Sequence, residues 1–121
     1  MSERQGDAAL EGGWLLRGDD EGGRSFRIAV GETELARAYL GVSIGRHPAL
    51  CERVLDEDSV SRRHFRIGIA DGRLFVEDLN SLNGTQLDGQ ELTPFQPVPF
   101  GPGQEIRAGR VRLILTRLDD H

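Results

Sequence analysis

The amino-acid sequence predicts an all-β fold, an antiparallel sandwich or barrel, and three observations carry that prediction. Short segments alternate apolar and polar residues with a period of two, the pattern of a strand with one face on a core and one in water. They are Phe26, Ile28 and Val30; Phe65, Ile67 and Ile69; and Val111, Leu113 and Leu115. Asp-Gly pairs stand at 71–72 and 88–89, and such pairs supply the positive φ angles of two-residue hairpin turns. Finally, 16 glycines in 121 residues imply many tight turns.

Taken along the chain, residues 1–12 are polar and without periodicity and read as a loose leader. One folded domain is expected over 13–121, long enough for a single core. Structure should begin near Trp14, and Trp14 and Phe26 are expected in the core. After the segment around Ile28, "ETELARA" at 32–38 is rich in helix formers and predicts a turn or two of helix. The segment around Ile67 runs into "ADGR" at 70–73, and "LDGQ" at 87–90 forms a second turn of the same kind. Prolines 94, 97, 99 and 102 make "TPFQPVPFGPG" an extended edge segment or loop. "RAGR" at 107–110 is a weaker turn before the last strand.

The net charge of −5 and pI near 5.2 exclude a broad electrostatic footprint for nucleic acid, so any anion site must be local. All 15 basic side chains are arginine, which leaves the guanidinium as the one cation able to read a phosphate. Cys51 is the single cysteine, which rules out an intramolecular disulfide and points to a reduced compartment. No apolar run is long enough to span a bilayer, and the N-terminus has no apolar signal core. A cytoplasmic location is expected.

Three loop segments carry the candidate chemistry: "IGRHP" at 44–48, "VSRRH" at 60–64 and "DLNSLNGT" at 78–85. Meeting at one end of a sandwich, they would bring Arg46, Ser61, Arg62 and Asn83 to one spot. A guanidinium offers a planar fork to two phosphate oxygens, while a hydroxyl and backbone N–H groups serve the third. Two or three charge-assisted bonds of about 1.5–3 kcal/mol each, less ordering costs, give roughly micromolar binding. Arg63 is expected in solvent or beside an acid, and the acidic run 56–59 is expected to repel acidic peptides.

Ser61, His64 and Asp78 contain the residue types of a hydrolytic triad. However, the chain has no G-x-S-x-G elbow, and a serine three residues before a histidine has no reason to present its hydroxyl to that ring. No enzyme activity is expected. His47, Cys51 and His64 lack the paired spacing of zinc motifs, so no metal is expected either.

The series Gly45-Arg46, Ser61-x-x-His64 and "DLNSLNGT", ending in Asn83-Gly84-Thr85 and followed by "QLDGQEL", resembles the forkhead-associated (FHA) domain over about residues 14–118. The resemblance implies an FHA-type antiparallel β-sandwich of about eleven strands with binding loops at one end. It implies a signalling module that binds phosphothreonine peptides without a cofactor. The expected partner is a phosphothreonine-containing protein, such as a bacterial Ser/Thr kinase or its substrate, with no nucleic acid or membrane and a monomeric chain.

By the same resemblance, Arg46 and Ser61 contact the phosphate, Arg62 reaches the phosphate or the peptide backbone, and Asn83 contacts the peptide main chain. His64 braces its loop, Gly45 and Gly84 serve backbone geometry, and Asp78 is a structural carboxylate. Two positions depart from the family pattern. Leu82 stands where a small hydroxyl residue is usual, which would either lower affinity or shift it toward apolar neighbours of the phosphothreonine, and Asn80 stands after "DL" where glycine or a basic residue is common. The alternative reading is an FHA-fold interaction scaffold that does not need phosphate.

Overall fold

The apolar member of each alternating pair faces inward, and the inward faces form two packed sheets. The computed structural model describes residues 12–118. Among them, β1 (Gly13–Asp19), β2 (Ser25–Gly31), β7 (Thr85–Leu87), β8 (Gln90–Glu91), β10 (Glu105–Ala108) and β11 (Val111–Arg117) form one sheet in the order β2-β1-β11-β10-β7-β8. The facing sheet has the order β4-β3-β5-β6-β9, from β3 (Val42–Gly45), β4 (Arg53–Val54), β5 (Phe65–Ala70), β6 (Arg73–Asp78) and β9 (Val98–Pro99). This is the eleven-stranded sandwich expected. The leader expected over 1–12 lies outside the described residues apart from Gly12, whose carbonyl accepts the Glu32 N–H.

Leu16, Ile28, Val30, Ile106, Leu113 and Leu115 from the first sheet meet Val42, Ile44, Phe65, Ile67 and Val76 from the second in one core. The register is therefore fixed. In β11, slipping by one residue would expose Val111, Leu113 and Leu115, each worth about 1.5–3 kcal/mol buried, and would turn Arg112 and Thr116 inward with only Ile114 to replace them. The Asp-Gly turns form as the sequence predicts, with φ of 53° and 75° at Asp71 and Gly72 and 50° and 84° at Asp88 and Gly89. The single helix among the described residues, α1 (Glu32–Arg37), fills its expected place and buries Leu35. The proline-rich segment supplies β9, an edge strand paired with β6.

Two expectations need correction. Trp14 and Phe26 are half-buried at the margin of the core, where the Arg117 and Arg24 guanidinium groups lie over their rings at 4.6 and 5.0 Å. Both rings keep a face for a cation that a fully enclosed ring would not. The sheets are also not wholly antiparallel, because β4 runs parallel to β3. The loop from Arg46 to Glu52 doubles back, and the Glu52 carboxylate fixes its return by accepting from both the N–H and the hydroxyl of Ser43.

Strand direction decides where the loops go. The C-terminal ends of β3, β6 and β10 and the N-terminal ends of β5, β7 and β11 share one tip, because Ile44 pairs with Phe65, Phe65 with Asp78, Ala108 with Thr85 and Ala108 with Val111. All three candidate loops leave from that tip. None of the described helices is long and apolar enough to cross a membrane.

Candidate functional site

The segment 61–64 prolongs the β3–β5 pairing beyond the regular strands. His64 N–H donates to Ile44 O at 3.0 Å, Arg46 N–H to Ser61 O at 2.9 Å and His47 N–H to Arg62 O at 3.2 Å. Gly45 allows this approach, since a Cβ there would stand 2.3 Å from Arg62 O, closer than any side chain permits. The Cys51 thiol also points at the Arg62 carbonyl. Burial pushes that thiol up from its ordinary pKa, with Arg63 opposing.

His64 joins the two sheets at the tip. It is fully buried, its Nδ1 accepts from the Ser61 N–H at 2.9 Å, and its Nε2 stands 2.9 Å from Gly84 O. A ring whose Nδ1 accepts must carry its proton on Nε2, so Nε2 is the donor to Gly84. Burial holds the imidazole below its ordinary pKa against the Gly84 bond and the Asp78 charge, and the neutral ring suits this pair of bonds. Gly84 has φ of 83°, a conformation that costs glycine little.

Asp78 organises the third loop. One carboxylate oxygen accepts from the Ser81 and Thr85 hydroxyls at 2.6 Å each, and the other from the Asn80 and Ser81 N–H groups at 3.0 and 3.2 Å. Asn80 takes a positive φ of 63°, which asparagine tolerates. The loop closes onto its neighbour through Leu82 N–H, which donates to Ser61 Oγ at 2.8 Å, and through Asn83 Nδ2, which donates to Ser59 O at 2.8 Å.

Arg46, Ser61, Arg62, Leu82 and Asn83, the five expected contact residues, line one open depression of about 530 Å3. Three arginines, 46, 62 and 63, border it against one carboxylate, Asp58. That local excess of positive charge stands out on a chain of net charge −5. Arg46 is held by its own Nε, which donates to Val60 O at 2.9 Å. Among the described residues no carboxylate lies within ion-pair distance of Arg46, Arg62 or Arg63. Ser61 Oγ already accepts from Leu82 N–H, so its own proton is left to donate outward.

The triad geometry does not form. Ser61 meets His64 through its backbone N–H and not its hydroxyl, and Nε2 is turned to Gly84. Of the acidic run 56–59, Glu57 is turned inward, while Asp58 stays on the rim. Burial pushes the Glu57 carboxyl up, but the Ser59 hydroxyl and N–H and the Arg110 guanidinium outweigh it and hold the group below its usual range. Sequence reasoning missed Glu57 and also missed Leu50, an exposed apolar side chain on the rim. The one hint for Glu57 was a carboxylate two residues before Ser59, the spacing of a local side-chain to backbone bond.

The fold and the site define a class: a β-sandwich binding module with a basic cradle among the loops at one tip. The family model of the FHA domain matches residues 42–109. The FHA domain-containing protein FhaB of Mycobacterium tuberculosis is 33% identical over 119 residues, covering 91% of this chain and 76% of FhaB. The crystal structure of the FHA domain of CT664 from Chlamydia trachomatis superposes with a TM-score of 0.67 at 22% identity, over 90% of this chain and 98% of that one. A structure from a study of phosphothreonine-dependent FHA domain interactions has a TM-score of 0.58 at 28% identity, over 85% and 94% of the two chains. The chain belongs to the FHA domain family.

Proposed function

We propose that this chain is a phosphothreonine-peptide-binding module and that it recognises proteins phosphorylated by Ser/Thr kinases. The single observation that carries this reading is the depression at the tip, where Arg46 and Ser61 face solvent together with donors unspent on internal acceptors. A phosphorylated side chain brings about −1.5 to −2 charges and three strong acceptors. Arg46 supplies the terminal guanidinium nitrogens and Ser61 the hydroxyl proton. Arg62 adds charge at the rim, and Asn83 keeps its Oδ1 for a peptide N–H while its Nδ2 is anchored on Ser59. Gly45, His64, Asp78 and Gly84 hold these groups in place without touching the ligand. Leu82 adds an apolar surface beside them.

Residues 13–121 are the binding unit in this reading, acting in the cytoplasm as a monomer and without catalysis. Support comes from the relative studied for phosphothreonine-dependent interactions and from the family of regulators to which the chain is similar, among them an oxoglutarate dehydrogenase inhibitor of Corynebacterium. The test is a titration with one peptide in four forms, carrying phosphothreonine, phosphoserine, aspartate or unmodified threonine. Binding of the phosphothreonine form alone in the micromolar range is expected. Equal affinity for all four forms would replace the reading with a phosphate-independent scaffold.

A further inference from the structure

The side chains in the anion cradle are held through two backbone carbonyls of the segment before Ser61. Arg46 Nε rests on the carbonyl of Val60 at 2.9 Å and Asn83 Nδ2 on the carbonyl of Ser59 at 2.8 Å. Whatever fixes these two consecutive carbonyls therefore fixes both ligand groups. Val60 is anchored by its own buried side chain, and Ser59 by a carboxylate. Glu57 Oε1 accepts the Ser59 N–H at 2.7 Å and also the Ser59 hydroxyl, and Glu57 O accepts the Val60 N–H at 2.9 Å.

Glu57 is in turn anchored on the other sheet. Its Oε2 accepts from Arg110 Nε at 3.2 Å and pairs with Arg110 Nη2 at 3.1 Å, and the Arg110 backbone N–H donates to Ser59 Oγ at 2.8 Å. The Ser59 hydroxyl thus accepts from Arg110 and gives its own proton to Glu57, with no rotational freedom left. The preceding residue is Gly109, where a Cβ would stand 2.4 Å from Ser59 Oγ and 2.6 Å from Ser59 O. The β10–β11 turn is pressed against Ser59. In the ion pair the Glu57 side chain is 8% exposed and the Arg110 side chain 51%, so one end of this chain of contacts is buried beside the cradle and the other lies on the surface.

We infer that Glu57 and Arg110 are positioning residues for the anion cradle: their ion pair fixes Ser59, whose carbonyl aims Asn83, and with the buried Val60 side chain it sets the adjoining carbonyl that aims Arg46. The inference rests on the proposed phosphothreonine site for its consequence in binding, although the coupling itself exists in the free protein. It assigns to the β10–β11 turn, remote in sequence from every motif residue, control over how well the cradle is preformed. Preformed donors spare the ordering cost that binding would otherwise bear, so loosening the pair weakens affinity even though neither residue meets the ligand.

The test begins with the free protein. Side-chain resonances of the Asn83 amide and the Arg46 Nε–H are followed by NMR in the wild type, Arg110→Ala, Glu57→Gln and Arg112→Ala. In Glu57→Gln a side-chain amide faces either Arg110 or Ser59 with the wrong polarity, and Arg110→Ala is an exposed change that leaves the core untouched. Both reporters are expected to shift and lose protection from exchange in these two variants, and to stay unchanged in Arg112→Ala.

Phosphothreonine-peptide titration should then show about tenfold weaker binding for Glu57→Gln and a smaller loss for Arg110→Ala, with Arg110→Lys recovering part of it. Adding Glu57→Gln to Asn83→Ala should cost less than it does alone, because part of its effect passes through Asn83. Unchanged Asn83 and Arg46 signals in both Arg110→Ala and Glu57→Gln, or fully additive losses, would overturn the inference. A wild type that binds no phosphopeptide would overturn the proposed function instead, and the resonances of the free protein would still decide the coupling.

Discussion

Replacing His64 by alanine should separate the cradle loops from the sandwich, and the cost can be worked from its contacts. The side chain is fully buried and makes two hydrogen bonds of 2.9 Å, one to the 61–64 segment and one to the start of β7. Truncation leaves the Ser61 N–H and the Gly84 carbonyl without partners, at about 1 kcal/mol or more each, and opens a void the size of an imidazole ring. Because the tip lies close to water, part of the penalty is relieved, and a total of about 3–4 kcal/mol follows. For a domain of this size that is a fall in Tm of about 10–15 °C. His64→Phe fills the void without restoring either bond and should recover only about 1 kcal/mol. Urea unfolding followed by fluorescence measures both, and the midpoint should move while the slope is unchanged. A His64→Ala protein within about 1 kcal/mol of the wild type would refute the reasoning that this ring staples the two sheets.

Acid should weaken the fold by the same route. The folded His64 pKa lies below its ordinary value because of burial, so the unfolded chain takes up the proton first and stability falls as pH drops through about 6.5. Glu57, whose carboxyl is held low by Ser59 and Arg110 against its burial, adds stability that is full above about pH 4.3 and is lost as pH falls through its lower folded value. Denaturation at pH 5, 6, 7 and 8 checks the sign for His64: the wild type should be flat above pH 7 and decline below it, His64→Phe should lack the decline, and a gain in stability toward pH 5 would contradict it. Gly45→Ala places a Cβ 2.3 Å from Arg62 O, and the forced shift should cost about 1–3 kcal/mol. It should also weaken phosphopeptide binding, with thermal melts and titrations as the readouts. Leu82 is 89% exposed, so Leu82→Thr should leave stability within about 0.5 kcal/mol. In a peptide array it should lose a preference of about fourfold for apolar residues beside the phosphothreonine, a single buried methylene being worth about 0.8 kcal/mol; identical rankings for both proteins would count against that role.

Much of this architecture could be read from the amino-acid sequence because its signals are local. Period-two alternation around Ile28, Ile67 and Leu113 and the turns at Asp71-Gly72 and Asp88-Gly89 depend on neighbours in the chain, and each formed where expected. The candidate site was legible in outline for a different reason: Gly45, His64 and Gly84 meet steric and hydrogen-bonding demands that few other residues satisfy. The parallel β3–β4 pair was not legible, since it depends on Glu52 folding back onto Ser43. Glu57 read as one more solvated acid because its partner Arg110 is far along the chain and arrives only when the sheets pack. Trp14 and Phe26 read as core because hydrophobicity alone does not tell a core ring from one at its margin that carries a guanidinium.

In the proposed function, Arg46 and Ser61 act together on one phosphate. Calorimetric titration of a phosphothreonine peptide into the wild type, Arg46→Ala, Ser61→Ala and the double variant tests it, with melting curves recorded alongside. Arg46→Ala should lose measurable binding, Ser61→Ala should bind markedly more weakly, and Arg46→Ala should melt near the wild-type temperature because its side chain is exposed. Wild-type affinity in a folded Arg46→Ala protein would contradict it.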